Sequence, residues 1–480
     1  MRRSTSRASP TIDLSRIIER CAEESPSRTA IHFDGVDISY LELWNQVLTT
    51  SNALQVKKGD RVAWLGYNHP EMLVLLFALA RLGAILVPLN WRLTAAEHKA
   101  ILADCAPKWI FCDDAFAAHC AGLGVPAGKL IESGDSDLQG EDGDDALIVY
   151  TSGTTGKPKG VVLAQSALRW NGYNSIHAHD MSAADHVLTV LPLFHAGGLN
   201  NQTLPALLAG ATVTLQRRFD AGMWLSEVAA RKPTLSLLVP AAMQAVISHP
   251  QWAAADLSSL RMLNAGSMIV PDALIRAFHD HGVPVGQIYG CTETAPIATV
   301  LRKEDAVRKL GSAGKPAPHC DVKLVEGEVW VRGPNVMRGY WNDPAATAAA
   351  LTPDGWFKTG DLARVDDSGY FWIIGRSKDV IISGGENIYP AELENVLADC
   401  QEIAEYAVIG MQDPKWGEAV CAFIVKKKDA KIDAAGVLAL FKDRLAKFKH
   451  PRRVVFVDNL PRNAMGKVQK HELRTLLGNR

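Results

Sequence analysis

The sequence predicts an α/β protein of two unequal parts: a large N-terminal portion of βα-layered sheets and a small α+β portion that begins after "GRSKD". Three observations carry this. A chain of 480 residues with 48% hydrophobic and only 21% charged side chains can bury a large core and is long enough for more than one domain. Short β-branched runs alternate with helix-length segments up to about residue 375, the pattern of βα units and largely parallel, doubly covered sheets. Beyond that point the apolar periodicity restarts on a smaller scale over about a hundred residues, as a separate domain does.

Taken in order, the strand-like runs are "RVAWLG", "AILVPLN", "KWIFCD", "ALIVYTS", "HVLTVLPL", "ATVTLQ" and "LSLLVP". The longest apolar run, "MLVLLFALARLGAILVPLN" from Met72, contains Arg81 and Gly83 and reads as a buried helix followed by a strand, not a membrane span. The basic, Ser-rich start "MRRSTSRASPTID" lacks the apolar segment of a secretory signal and is expected to be a frayed tail. The acidic stretch at residues 132–145 is expected to be a solvated loop. In the small portion, "YPAELENVLADC" and "AAGVLALFKDRLAKF" read as helices, and "AEYAVIGM", "AVCAFIVKK" and "RRVVFV" as strands.

Composition also narrows the function. A formal net charge of -1 gives no general electrostatic attraction to nucleic acid or an anionic membrane, so small-molecule partners are expected, with no nucleic acid and no transmembrane segment. Eight cysteines without a C-x-x-C pair fit reduced thiols and a cytoplasmic location. A homodimer is left open.

The chemistry is concentrated in "YTSGTTGKPKG", which starts at Tyr150, the last residue of the apolar run "ALIVY". Glycine lets backbone approach an anion, Ser and Thr hydroxyls donate, and lysine supplies charge, so the stretch reads as a phosphate cradle. It is not a Walker A loop, because Thr151 occupies the first glycine position and Pro158 follows Lys157 where Ser or Thr is required.

Together with "LPLFHAGGL", "YGCTETAP", "TGDLA", "GRSKDVIISGGENIYPAELE" and "PRNAMGKVQK", in that order, this stretch resembles the signature motifs of the adenylate-forming, AMP-binding superfamily, to which short fatty-acyl- and aryl-CoA ligases belong. The resemblance spans nearly the whole chain. It implies an acyl-CoA synthetase-like fold, with residues 1–377 as the AMP-binding domain, residues 378–480 as a mobile lid, and Lys378 as the hinge. It implies ATP, Mg²⁺ and coenzyme A as cofactors, and a carboxylic acid as substrate. Thr151, Ser152, Gly153, Thr154, Thr155, Gly156 and Lys157 would hold the β- and γ-phosphates. Glu293 would carry Mg²⁺, a hard ion suited to oxygen ligands and phosphates; Thr292 would touch the α-phosphate and Tyr289 the adenine. Asp361 would take the ribose hydroxyls, Arg376 would add a cation nearby, and Lys467 would bridge the substrate carboxylate and the α-phosphate.

An acyl-adenylate needs shelter from water while it forms and an opening for a thiol afterwards. The resemblance implies that the small domain swings, withdrawing Lys467 and presenting Gly384 and Gly385 beside the pantetheine arm, with Arg92 and Trp416 on the nucleotide of CoA. Lys447, Lys449, Arg452 and Arg453 are candidates for its phosphates. The acyl pocket is expected from His195, Gly197, Gly198, Asn200, Met243, Gly266, Gly290 and Ala295, with Ser267 on the nucleotide side. Gly197 and Gly198 are read as making room, and the lack of Arg or Lys in these segments favours a monocarboxylic acid, aryl, cinnamate-like or medium-chain. In "NAGS" Ala265 stands where the superfamily more often has glycine, adding a methyl near the pocket. Two other readings are an enzyme loading a separate carrier protein, and a non-catalytic nucleotide or acyl-AMP binding module.

Overall fold

A computed structural model describes residues 13–128, 130, 138–151, 158–462 and 467–478. The expected N-terminal tail, Ser152 to Lys157 of the phosphate cradle, and part of "PRNAMGKVQK" lie outside the described residues.

Two large sheets form the body. In the first, nine described strands run in the order Lys315–Pro316, Thr299–Val300, Val285–Tyr289, Met262–Gly266, Leu235–Leu238, His186–Thr189, Thr212–Leu215, Thr29–Phe33, Val36–Ser39. The pairs from Val285–Tyr289 through Thr29–Phe33 are parallel, as the β-branched runs predict, and the edges are antiparallel. In the second, Trp109–Cys112, Arg61–Leu65, Ile85–Leu89 and Asp145–Thr151 are parallel, and Lys159–Ala164 and Gly339–Tyr340 continue the sheet antiparallel. The main core joins both sheets through the helices Tyr40–Ala53, Pro70–Leu82 and Leu204–Ala209. A second core lies under Ala221–Arg231, Pro240–Ile247 and Asp272–Asp280, and a third under Ala95–Cys105.

The long apolar run divides as its sequence requires. Pro70 starts the helix Pro70–Leu82 at a position that needs no N–H donor, Gly83 ends it at φ 66, and the strand Ile85–Leu89 follows, buried throughout. Arg81, buried near the end of that helix, lays its guanidinium 4.9 Å from the Trp44 ring. No helix among the described residues is long and apolar enough to cross a membrane. The acidic stretch is fastened to the body where it is described: Asp144 meets Lys58 at 2.8 Å and Asp145 meets Arg338 at 3.1 Å.

Residues 321–376 depart from the βα expectation. Asp321–Val325, Glu328–Arg332, Phe357–Val365 and Phe371–Arg376 make a wholly antiparallel four-stranded sheet. The cause is turn chemistry: Glu326 and Gly327 take φ 51 and 83, a two-residue hairpin turn that leaves no room for a crossover helix.

After Arg376 a short turn, Ser377–Asp379, leads into another sheet of Glu386–Ile388, Ile381–Ser383, Gly417–Lys426, Ile403–Asp413 and Arg453–Phe456. The helix Pro390–Ala398 and all three expected strands of this portion are present. The helix expected over "AAGVLALFKDRLAKF" is shorter. It stops at Ala439, and the chain continues as turns hung on fully buried Phe441, with Asp443 in the left-handed region at φ 61.

Candidate active site

Where the antiparallel sheet meets the end of the nine-stranded one, a buried carboxylate is paired with a half-exposed guanidinium. Asp361 and Arg376 stand opposite each other in the ladder between Phe357–Val365 and Phe371–Arg376, and the guanidinium Nε lies 2.9 Å from the carboxylate Oδ1. Tyr289, the last residue of Val285–Tyr289, donates its hydroxyl to Asp361 Oδ2 at 3.0 Å. Asp361 is 7% exposed. Burial raises its pKa above the ordinary carboxylate value, opposed by Arg376, the Tyr289 hydroxyl and Lys467.

Beside it, the turn Thr292–Thr294 presents Glu293, whose Oε1 accepts the Tyr340 hydroxyl at 2.9 Å and whose carbonyl accepts the Met337 N–H at 2.8 Å. Tyr340 pairs with Val161 on the strand Lys159–Ala164, and the Lys159 amine lies 5.0 Å from the Tyr340 ring centre. Thr151 and Lys159, on either side of the polar stretch, pair with each other in the antiparallel ladder between Asp145–Thr151 and Lys159–Ala164.

The small portion contributes Lys467. Burial lowers the pKa of its amine, with Arg376 lowering it further and Asp361, Glu293 and Cys291 raising it. A residue near the end of the chain is therefore brought into the electrostatic field of the carboxylates on the body. His195 feels it too: burial pushes its imidazole down to about 3, and Lys467 and Arg92 act in the same direction, so the ring is neutral at neutral pH. Its ring lies 4.4 Å from that of Phe194, and Arg92 lies 4.7 Å from the Trp91 ring and 5.9 Å from Phe194.

The expected acyl-pocket residues divide. Gly197 faces Ser267: a β-carbon on it would sit 3.6 Å from the Ser267 hydroxyl oxygen and 3.7 Å from Asn201 Nδ2. Gly266 ends the strand Met262–Gly266, Gly290 follows Val285–Tyr289, and Ala295 is fully buried after Thr292–Thr294. Asn200 is buried, with neither side-chain amide atom hydrogen-bonded within the protein. Two expectations are corrected. Gly198 does not make room, since a β-carbon there would lie 2.2 Å from the Pro192 carbonyl oxygen; its lack of a side chain serves close backbone packing. Met243 is wholly enclosed in the core with Leu238, Val246 and Ala265, so it packs the interior instead of walling an open pocket. The Ala265 methyl goes into that same core.

A second group stands apart on the small portion. Gly384 and Gly385, at φ 61 and 88, form the turn between Ile381–Ser383 and Glu386–Ile388. Trp416 presses on Gly384, where a β-carbon would meet its ring at 2.7 Å, and Lys415 and Arg452 each lie 4.9 Å from that ring. Arg92 belongs to the His195 side and not to this group. Lys449 is already paired with Glu392. The sequence reading missed Tyr340, the hydroxyl role of Tyr289, and Asn201; the first two are long-range contacts with no local motif to announce them.

Set beside known proteins, residues 18–341 match the family model for AMP-binding enzymes and residues 392–467 that for the AMP-binding enzyme C-terminal domain. The chain is 49% identical to an indoleacetate–CoA ligase of Aromatoleum aromaticum, over 97% of this chain and 98% of that protein. It is 44% identical to a feruloyl-CoA synthase of an Amycolatopsis species, over 96% and 98%. Among solved structures, the o-succinylbenzoate CoA synthetase of Bacillus subtilis in complex with its acyl-adenylate intermediate superposes with a TM-score of 0.87 at 32% identity, covering 95% of this chain and 97% of that one.

Proposed function

The chain belongs to the AMP-binding enzyme family and is an acid–thiol ligase, and from that premise we propose how its residues divide the work of converting an aryl or cinnamate-like monocarboxylic acid, ATP and coenzyme A into acyl-CoA, AMP and pyrophosphate. The observation that carries the proposal is the convergence of Lys467 on Asp361, Arg376 and Glu293.

Adenylation brings two anions together, the acid's carboxylate and the α-phosphate, while a third, pyrophosphate, leaves. A cation held out of bulk water is worth most there, and the low-lying amine of Lys467 beside Arg376 supports its role as the bridge. Asp361, its Oδ2 occupied by the Tyr289 hydroxyl and its Oδ1 by Arg376, presents a fixed carboxylate suited to the two ribose hydroxyls. Among the described residues there is no cluster of three metal-type ligands, and Glu293 offers one carboxylate whose orientation the Tyr340 hydroxyl fixes. That donor set fits Mg²⁺ held by a single carboxylate together with phosphates, and the ion would supply neutralising charge to them. Neutral His195 beside Phe194 and Gly197 supports a place along the acyl group.

For the second half-reaction we propose that Lys378, in the turn Ser377–Asp379 between two separate sheets, is the hinge, and that the Gly384–Gly385 turn with Trp416 and Arg452 serves CoA. The eight unpaired cysteines support a cytoplasmic site of action. The test is direct: with Mg²⁺, ATP and a panel of aromatic, cinnamic and C4 to C18 acids, purified protein should release pyrophosphate only when an acid is present, and should form a thioester with CoA. Adenylate formation with transfer to a carrier protein but not to CoA would favour the carrier-loading alternative.

A further inference from the structure

Residues Leu199–Thr203 form a π-helical turn directly after the "LPLFHAGG" stretch, and three consecutive side-chain amides on it are buried: Asn200 at 1%, Asn201 at 5% and Gln202 at 2% exposure. Wide turns of this kind are often functional. Four of the amide atoms, Asn200 Nδ2 and Oδ1, Asn201 Oδ1 and Gln202 Oε1, have no hydrogen-bond partner in the protein. An unpaired buried amide costs about 1–3 kcal/mol, so a row of them calls for an occupant that is not protein.

The orientation of Gln202 follows from its neighbours. Asn264 Nδ2 donates to the Gly286 carbonyl at 3.1 Å, which turns Asn264 Oδ1 toward Gln202; Gln202 Nε2 donates to it at 2.7 Å and leaves Oε1 as the unpaired acceptor. Asn201 is the amide that meets the site. Its backbone carbonyl takes the Ser175 hydroxyl, and its Nδ2 lies 3.7 Å from the place of a Gly197 β-carbon, with the Ser267 hydroxyl at 3.6 Å from the same place. Gly197 has no side chain to screen it.

We propose that Asn201, whose Nδ2 is a donor beside Gly197 and whose Oδ1 is an unpaired acceptor, reads a hydrogen-bonding group on the acid at a distance from its carboxylate, Oδ1 accepting from an N–H or O–H, so that the substrate is an aryl acid bearing such a group and not a plain hydrocarbon acid. The inference rests on the ligase reading above and narrows its substrate class. A site that hydrogen-bonds its substrate rejects an analogue lacking the group far more strongly than an apolar pocket rejects a missing methylene.

The experiment compares kcat/KM for indole-3-acetate against 1-naphthylacetate, and for 4-hydroxycinnamate against cinnamate, in the wild type, Asn201→Leu and Asn201→Ser. The expected result is a wild-type preference of about tenfold or more for the hydrogen-bonding member of at least one pair. Asn201→Leu should shrink that preference by about tenfold, and Asn201→Ser, which keeps a hydroxyl, should fall between. Thermal unfolding shows whether the leucine variant is folded; if it is not, the serine variant carries the comparison. Wild-type ratios near one in both pairs, or a ratio unchanged by the substitutions, would overturn the inference while leaving the ligase intact. No pyrophosphate from any acid in the wider panel would instead defeat the ligase reading, and this inference with it.

Discussion

Around Asp361 the protein buries a carboxylate and pairs it, whereas at the Gly384–Gly385 turn it leaves backbone bare and stands two cations against an indole. In the first region a buried carboxylate and a buried phenol meet a half-exposed guanidinium and a lysine from near the end of the chain. In the second, both glycines are exposed and in the left-handed region, Trp416 lies against Gly384, and Lys415 and Arg452 lie over the Trp416 ring. The first region is suited to stabilising negative charge in a transition state. The second is suited to letting a thin chain slide past backbone while a charged, aromatic end is gripped. The small portion reaches both, through Lys467 in the first region and through the Gly384–Gly385 turn in the second.

The sharpest way to separate the regions is Lys467→Ala, which should slow pyrophosphate release by about 10²–10³-fold, the range seen when a single electrostatic donor to a transition state is lost. Next is Asp361→Asn. A hydrogen bond to a charged group is worth about 1.5–3 kcal/mol, so the KM for ATP should rise by about 10–100-fold, measured with saturating acid; an unchanged KM would remove Asp361 from the nucleotide. In the other region, Gly385→Leu has open space but must hold φ 88, and it should slow CoA transfer about tenfold more than adenylation. Similar losses in both steps would show that the two regions are not separate. Tyr340→Phe should shift the Mg²⁺ dependence by about two- to tenfold, since one hydrogen bond to Glu293 is lost. The smallest effect belongs to His195. Burial, Lys467 and Arg92 all disfavour its protonated form and hold it to about 3, so acidification from pH 8 to 5 does not charge it. The pH profile of adenylation over that range should keep its shape in His195→Gln, and an inflection that the substitution abolishes would contradict this.

The two regions also differ in how far they could be read from sequence. "TGDLA" and "GRSKD" announced Asp361 and Arg376 because each is a local motif, and the ladder register then explains why they come together. Nothing local marks Tyr340, which reaches Glu293 across 47 residues, or the Tyr289 hydroxyl, which reaches Asp361 across 72. The helix–strand division at Gly83 was legible because Pro70 and Gly83 punctuate it. The hairpins at residues 321–376 were not, because β-branched runs look alike whether the partner strand is parallel or antiparallel. Apolar spacing likewise suggested a long helix after Ala434 where Asp443 takes a left-handed turn. Gly198 and Met243 show the limit at the pocket: sequence places a residue near a site, but only packing tells whether its side chain, or the lack of one, faces the cavity or the core.

The central claim is that Lys467 acts in forming the adenylate and not in consuming it. Supplying Lys467→Ala with a preformed acyl-adenylate and CoA tests this most directly: thioester should form at a rate within a few-fold of the unsubstituted enzyme, and a loss as deep as that in pyrophosphate release would contradict the account.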